Sequence, residues 1–217
     1  MMTDIHSHDP QIKSGQNKVL SLQLHPETNI AEVLNALPSA ILLSAGVHPW
    51  HAFEWTSVNT SRLDVMLHAS RIVFIGEIGL DNTCGVHFDE QLFVFEKQLL
   101  LADNIGKSVL IHNVGHQTEL LAMKSKYKRI PAWILHGFRG KALMADQFLK
   151  SGFYISFGLK YQSEALHACP MDRLFLETDE SNTELVSHYQ NVAKDLGISV
   201  FALESCISRN FESICLK

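Results

Sequence analysis

Short apolar runs alternate with longer segments of helical period along this chain. The runs are TDIHSH (3–8), KVLSLQL (18–24), AILLSAGV (40–47), IVFIGEIGL (72–80), SVLIHN (108–113), AWILHGF (132–138), FYISFG (153–158) and RLFLETD (173–179). Most are continuous rather than alternating, as expected of strands buried on both faces. Between them the spacing predicts helices over 29–37, 57–70, 88–106, 116–127, 141–152, 162–168, 183–197 and 200–215. The clearest is FDEQLFVFEKQLLLADNIG. Its Leu92, Phe95, Leu99 and Ala102 recur three or four apart, and Gly106 supplies a glycine stop. The segment between the first two runs is short and holds no convincing helix. Eight strands with intervening helices predict an α/β fold, a small parallel (β/α)8 TIM barrel, with a doubly wound open sheet as the alternative. No linker rich in Pro, Gly or Ser divides the chain, so one domain over 1–217 is expected.

Composition narrows the function only a little. The chain has 217 residues, is 46% hydrophobic and 19% charged, and carries a net charge of -5 with His neutral. That balance excludes a polyanion binder held by bulk charge, but not an enzyme whose metal supplies positive charge locally. No run reaches the roughly 18–20 apolar residues of a membrane span. The first twenty residues hold two His, two Asp and two Lys, unlike a signal peptide. Cys84, Cys169, Cys206 and Cys215 lie far apart, which points to reduced thiols and a cytoplasmic setting.

The chemistry lies where the runs end. A barrel places its active groups at the C-terminal ends of its strands. There the chain has His6 and His8, His48, Glu77 and Asp81, His112, His136, and Glu177 with Asp179. Taken singly, each has an ordinary structural reading: a core histidine bonded to a carbonyl, a carboxylate paired with an Arg, a helix cap. Ionisable groups in apolar runs are costly unless paired or metal-bound, and independent accidents would not gather them at one rim. The period of two in a strand points His6 and His8 to one side, able to hold one ion. Four His, one Glu and one Asp exceed the needs of one four-coordinate metal and suit two sharing a carboxylate. Imidazole favours Zn, Mn, Fe or Ni over a pure Mg site.

These residues resemble the TatD-like metal-dependent deoxyribonucleases, within the amidohydrolase-like barrels. DIHSH resembles the opening D-x-H-x-H, and GVHPW the G-x-H-P motif. IGEIGLD with Gln91, Phe95, Gln98-Leu99 and Leu101-Ala102 is the most specific stretch. LIHN, ILHGFRG, GFYISFG and LFLETD follow in family order. The resemblance implies two divalent metal ions (Zn, Mn, Mg, Fe or Ni) and hydrolysis of phosphodiester bonds at DNA ends. His6 and His8 would bind the first ion with Asp179 adjoining, Glu77 would bridge, and His112 and His136 would bind the second. His48 would contact the scissile phosphate or nearby polar groups. Glu177 would face solvent or a supporting group.

The chain departs from the pattern at Val114, where a basic residue is usual, at HGFRG, at ESNTEL after E-T-D, and in the segment after the seventh strand. Arg139 is the candidate replacement for a lost substrate-binding cation. A monomer acting on DNA or another phosphodiester, away from membranes, is expected. The alternatives are an amidohydrolase-like enzyme acting on a small phosphomonoester, amide or lactone, and a metal-binding protein without catalysis.

Overall fold

The structure is a computed structural model that describes residues 1–215, with only the backbone described at residues 30, 58–60 and 62. Its strands are β1 (Met2–Ser7), β2 (Gln16–Gln23), β3 (Leu42–Gly46), β4 (Ile72–Asp81), β5 (Val109–Val114), β6 (Trp133–Leu135), β7 (Tyr154–Phe157) and β8 (Leu174–Leu176). Its helices are α1 (Ile30–Ala36), α2 (Ser57–Leu67), α3 (Phe88–Ile105), α4 (Gln117–Lys126), α5 (Ala142–Lys150), α6 (Ser163–Ala168), α7 (Leu185–Asp195) and α8 (Val200–Cys215). The eight strands form one sheet in chain order, and Ser7 bridges Asp179 in parallel, joining the ends of the first and last strand runs. This is the strand order of a (β/α)8 barrel, as the alternation of runs and helical segments predicts. Two short 3-10 turns, Pro49–Glu54 and Met171–Arg173, were not expected from the pattern.

By contact density the chain resolves into two compact units. One comprises residues 1–20 and 134–217, the other residues 21–133. In the second unit, β4 is buried almost throughout between β3 and β5. Helix α3 covers it with Val94, Phe95, Leu99 and Ala102, one apolar stripe, and ends at Gly106 in the left-handed conformation that glycine adopts without strain. In the first unit, Ile5, Phe148, Ile155, Phe157, Phe175 and Tyr189 are fully buried. The Tyr189 hydroxyl accepts from the Thr3 amide at 3.0 Å and donates to the Thr3 carbonyl at 2.8 Å, so the N-terminal strand is anchored rather than frayed.

Among the described residues no helix is long and apolar enough to cross a membrane. No disulfide joins the four cysteines.

Candidate metal-binding clusters

Each unit carries its own cluster of imidazoles and carboxylates at strand ends. In the first unit, β1 delivers His6, fully buried, and the chain just beyond it delivers His8, which is exposed. Their Nε2 atoms lie 3.5 and 3.6 Å from Asp179 Oδ1. His136, just beyond β6, stacks obliquely on His6 with ring centres 4.4 Å apart. His6, His136 and Asp179 offer ligand atoms that all lie within 4.8 Å of one another.

Backbone pairing sets this geometry. The Asp179 amide donates to the His6 carbonyl at 3.0 Å, and the His8 amide donates to the Asp179 carbonyl at 3.1 Å. Asp179 itself sits at φ 54°, a left-handed position that Asp and Asn tolerate better than other side chains. It caps no helix: α7 starts at Leu185 with Glu184 as its cap residue.

Asp4, opening the DIHSH stretch, does a structural job. It accepts from the Thr178 amide at 2.9 Å and from the Thr178 hydroxyl at 2.7 Å, which locks the β1 run to the LETD segment. Burial pushes its carboxyl up to about 6 in spite of those bonds. Glu177 does not face solvent. It is fully buried, with Oε1 3.3 Å from His136 Nδ1, so it supports that ring. A cavity of about 320 Å³ opens on this cluster, lined by Glu177 and Asp179 and by two exposed cations, Arg139 and Lys160. Lys160 escaped the sequence reading because it sits in a loop with no periodicity to mark it.

In the second unit, β4 and β5 bring Glu77 to His112, with Glu77 Oε1 2.8 Å from His112 Nδ1 and 3.3 Å from His48 Nε2. These three also place ligand atoms within 4.8 Å of one another. The glycines of the IGEIGL stretch make that approach possible. A Cβ on Gly79 would lie 1.8 Å from the His112 carbonyl oxygen, and one on Gly76 would lie 2.6 Å from Leu110 Cβ.

Asp81 stands behind His112, its Oδ2 3.0 Å from Nε2 and accepting the Trp50 indole N–H at 2.8 Å. Burial works against its ionisation, but bonds from Thr83, Trp50 and His112 hold the Asp81 carboxyl below the usual range. Gln91 grips the Asp81 backbone from both sides, at 2.8 and 2.9 Å. Gln98 does the same to Val47, at 2.7 and 3.0 Å, just ahead of His48. The most specific stretch of the sequence thus contains the braces of this cluster as well as its ligand. Trp50 is half exposed with its indole N–H tied to Asp81, and Phe138 is buried in the core.

A profile of the TatD related DNase family matches residues 9–214. The chain belongs to this family. The profile match begins just after His8, so the first histidine pair lies outside it. The 3'-5' ssDNA/RNA exonuclease TatD of Edwardsiella piscicida is 32% identical over 70% of this chain and 65% of its own length. The protein of the same name from Erwinia tasmaniensis is 30% identical over 79% of this chain and 72% of its own length. The chain therefore spans about two thirds of the curated relatives it matches. Among solved structures, a TatD homologue from Escherichia coli superposes with a TM-score of 0.87 at 17% identity, covering 100% of this chain and 98% of that one. A TatD family hydrolase from Entamoeba histolytica gives 0.80 at 14% identity, covering 99% and 97%. At those identities the likeness shows the barrel fold.

Proposed function

We propose that this TatD-family chain is a single-domain, metal-dependent hydrolase that cleaves phosphodiester bonds at DNA ends. The observation that carries the reading is the pair of clusters, His6–His136–Asp179 and His48–Glu77–His112, each with its potential ligand atoms within 4.8 Å of one another in its own unit. Their donors, imidazole nitrogen with carboxylate oxygen, fit a borderline divalent ion better than a hard one bound by oxygens alone. The relatives named as exonucleases support the choice of substrate.

His6, His8 and Asp179 would hold one ion; His136, which the resemblance assigns to the second ion beside His112, stacks on His6 instead and would join the first, leaving Glu77 and His112 to serve the other. The bridging role of Glu77 rests on the family resemblance. Bound divalent ions would supply a water with its pKa lowered from about 15.7 toward 7, together with positive charge for the phosphate. Asp179, partly exposed at its cavity, would take or relay the proton. His48 would meet the scissile phosphate, its ring held by the Trp50 amide donating to Nδ1 at 3.2 Å. Arg139 and Lys160 would pair with the outer phosphate oxygens. Four cysteines far apart in the sequence are in keeping with a reducing, cytoplasmic setting.

The test uses metal-loaded protein and an end-labelled single strand, beside a phosphomonoester and an amide, with Mg, Mn or Zn. Progressive shortening of the strand is expected. Turnover of the monoester or amide with an intact strand would replace the nuclease by a small-molecule hydrolase. No metal-stimulated turnover of any substrate would leave a metal-binding protein.

A further inference from the structure

A third cluster lies wholly within the second unit and shares no residue with the two above. His25 Nδ1 lies 2.7 Å from Glu54 Oε2, and His51 Nδ1 lies 2.8 Å from Glu54 Oε1. One carboxylate thus faces two imidazole nitrogens, one on each oxygen. The rings meet edge-on with centres 5.2 Å apart, and the three residues offer ligand atoms all within 4.8 Å of one another.

The frame is fixed before any ligand arrives. The turn holding His25 is closed by its own amide donating to Thr28 Oγ1 at 2.9 Å and by the Thr28 amide donating back to the His25 carbonyl at 3.1 Å. His51 and Glu54 stand three apart on the 3-10 turn that Pro49 starts, and the Trp55 amide closes it on the Ala52 carbonyl at 3.1 Å. The side chains are 38% (His25), 36% (His51) and 20% (Glu54) exposed, open enough for an ion to enter and too sheltered for a freely solvated face.

We propose that His25, His51 and Glu54 form a further metal site, taking a transition-metal dication such as Zn²⁺ with the remaining positions open to water. Two imidazoles and one carboxylate are a known zinc donor set, with bonds of about 2.0–2.2 Å. To bind an ion through Nδ1, each ring carries its proton on Nε2, which leaves the Nδ1 lone pair for the metal. Ligand atoms now at hydrogen-bond distance need to part by less than about 1 Å to reach tetrahedral spacing. The ion would tie the turn after β2 to the turn after β3, the segment that also carries His48 and Trp50.

The test counts Zn²⁺ in the full chain. Protein stripped with a chelator is dialysed against Zn²⁺ and the bound equivalents measured for the parent, for His25→Gln/His51→Gln, and for both in an Asp179→Asn background. One equivalent fewer is expected in the double variant, in either background, which separates this site from the proposed catalytic clusters. Glu54→Gln keeps the fold and an acceptor oxygen but removes the charge, and should weaken that equivalent by roughly tenfold or more. Should the double variant fail to fold by circular dichroism, Glu54→Gln alone decides. Unchanged stoichiometry and unchanged Zn²⁺ affinity in the folded variants would show a hydrogen-bonded staple and overturn the site.

Discussion

The His6–His136–Asp179 cluster and the His48–Glu77–His112 cluster each combine two imidazoles with one carboxylate but are supported in different ways. The first is held mainly by backbone, with Asp4 and Glu177 as side-chain supports. Asp179 exchanges main-chain bonds with His6 and His8, and its left-handed conformation aims the carboxylate. The second is held by side chains. Asp81 fixes His112, while Gln91 and Gln98 fix the backbone around Asp81 and Val47. A backbone-held ligand set should survive a change of side chain with its geometry intact. A side-chain-held one should loosen when a single brace is lost.

That contrast ranks the expected effects. Asp179→Asn should lower kcat by on the order of 10²–10⁴-fold, the range for a lost proton-transferring group. Asn is at home at φ 54°, so the variant should melt near the parent, and a collapse in melting temperature would contradict the backbone account. Asp81→Asn, which touches only a support, should cost about 10–100-fold in metal affinity through a poorly held His112, read by chelator competition. Metal affinity equal to the parent's would show that the brace is dispensable.

Arg139→Ala should raise KM more than it lowers kcat, by roughly tenfold, since the side chain lines the cavity beside Glu177 and Asp179 as an exposed cation. An equal fall in kcat and kcat/KM would move Arg139 into the reacting centre.

The smallest effect concerns the packing behind the first cluster. His188 is buried with Nε2 2.8 Å from the Phe157 carbonyl. Burial lowers its pKa, against the raising effects of that bond and of Glu177. The folded state therefore binds fewer protons than the unfolded one. This contribution is fully present above the unfolded value of about 6.5 and is lost as pH falls through the lower folded value, by at most about 1.4 kcal/mol per pH unit. His188→Gln should flatten the fall in denaturant stability between neutral and mildly acidic pH. An unchanged slope would assign that fall to other groups.

Much of this architecture is legible in the sequence. All eight runs end within a few residues of strands, because continuous apolar runs broken by helical periods have few other ways to be buried. The clustering histidines and carboxylates stood out because an ionisable group ending an apolar run is expensive. The supporting roles are not legible. Asp4, Asp81, Gln91 and Gln98 all stand in the motifs of the resemblance, but their partners are set by register and loop path, which local pattern does not contain. For Glu177 the resemblance implies either solvent or a supporting group, and its fully buried carboxylate beside His136 selects the second. The turn at Pro49–Glu54 was missed for the same reason. Its short 3-10 path leaves no period to read, though it carries His51 and Glu54 and starts beside His48.

The central claim is that the two clusters hold the metals of a hydrolase, and Glu77→Gln tests it most directly. Bound metal equivalents and turnover of an end-labelled single strand are measured on the same folded preparation. The variant should bind less metal than the parent and lose strand shortening in step with that loss. Full metal occupancy with parental turnover would contradict the assignment of Glu77 as a metal ligand.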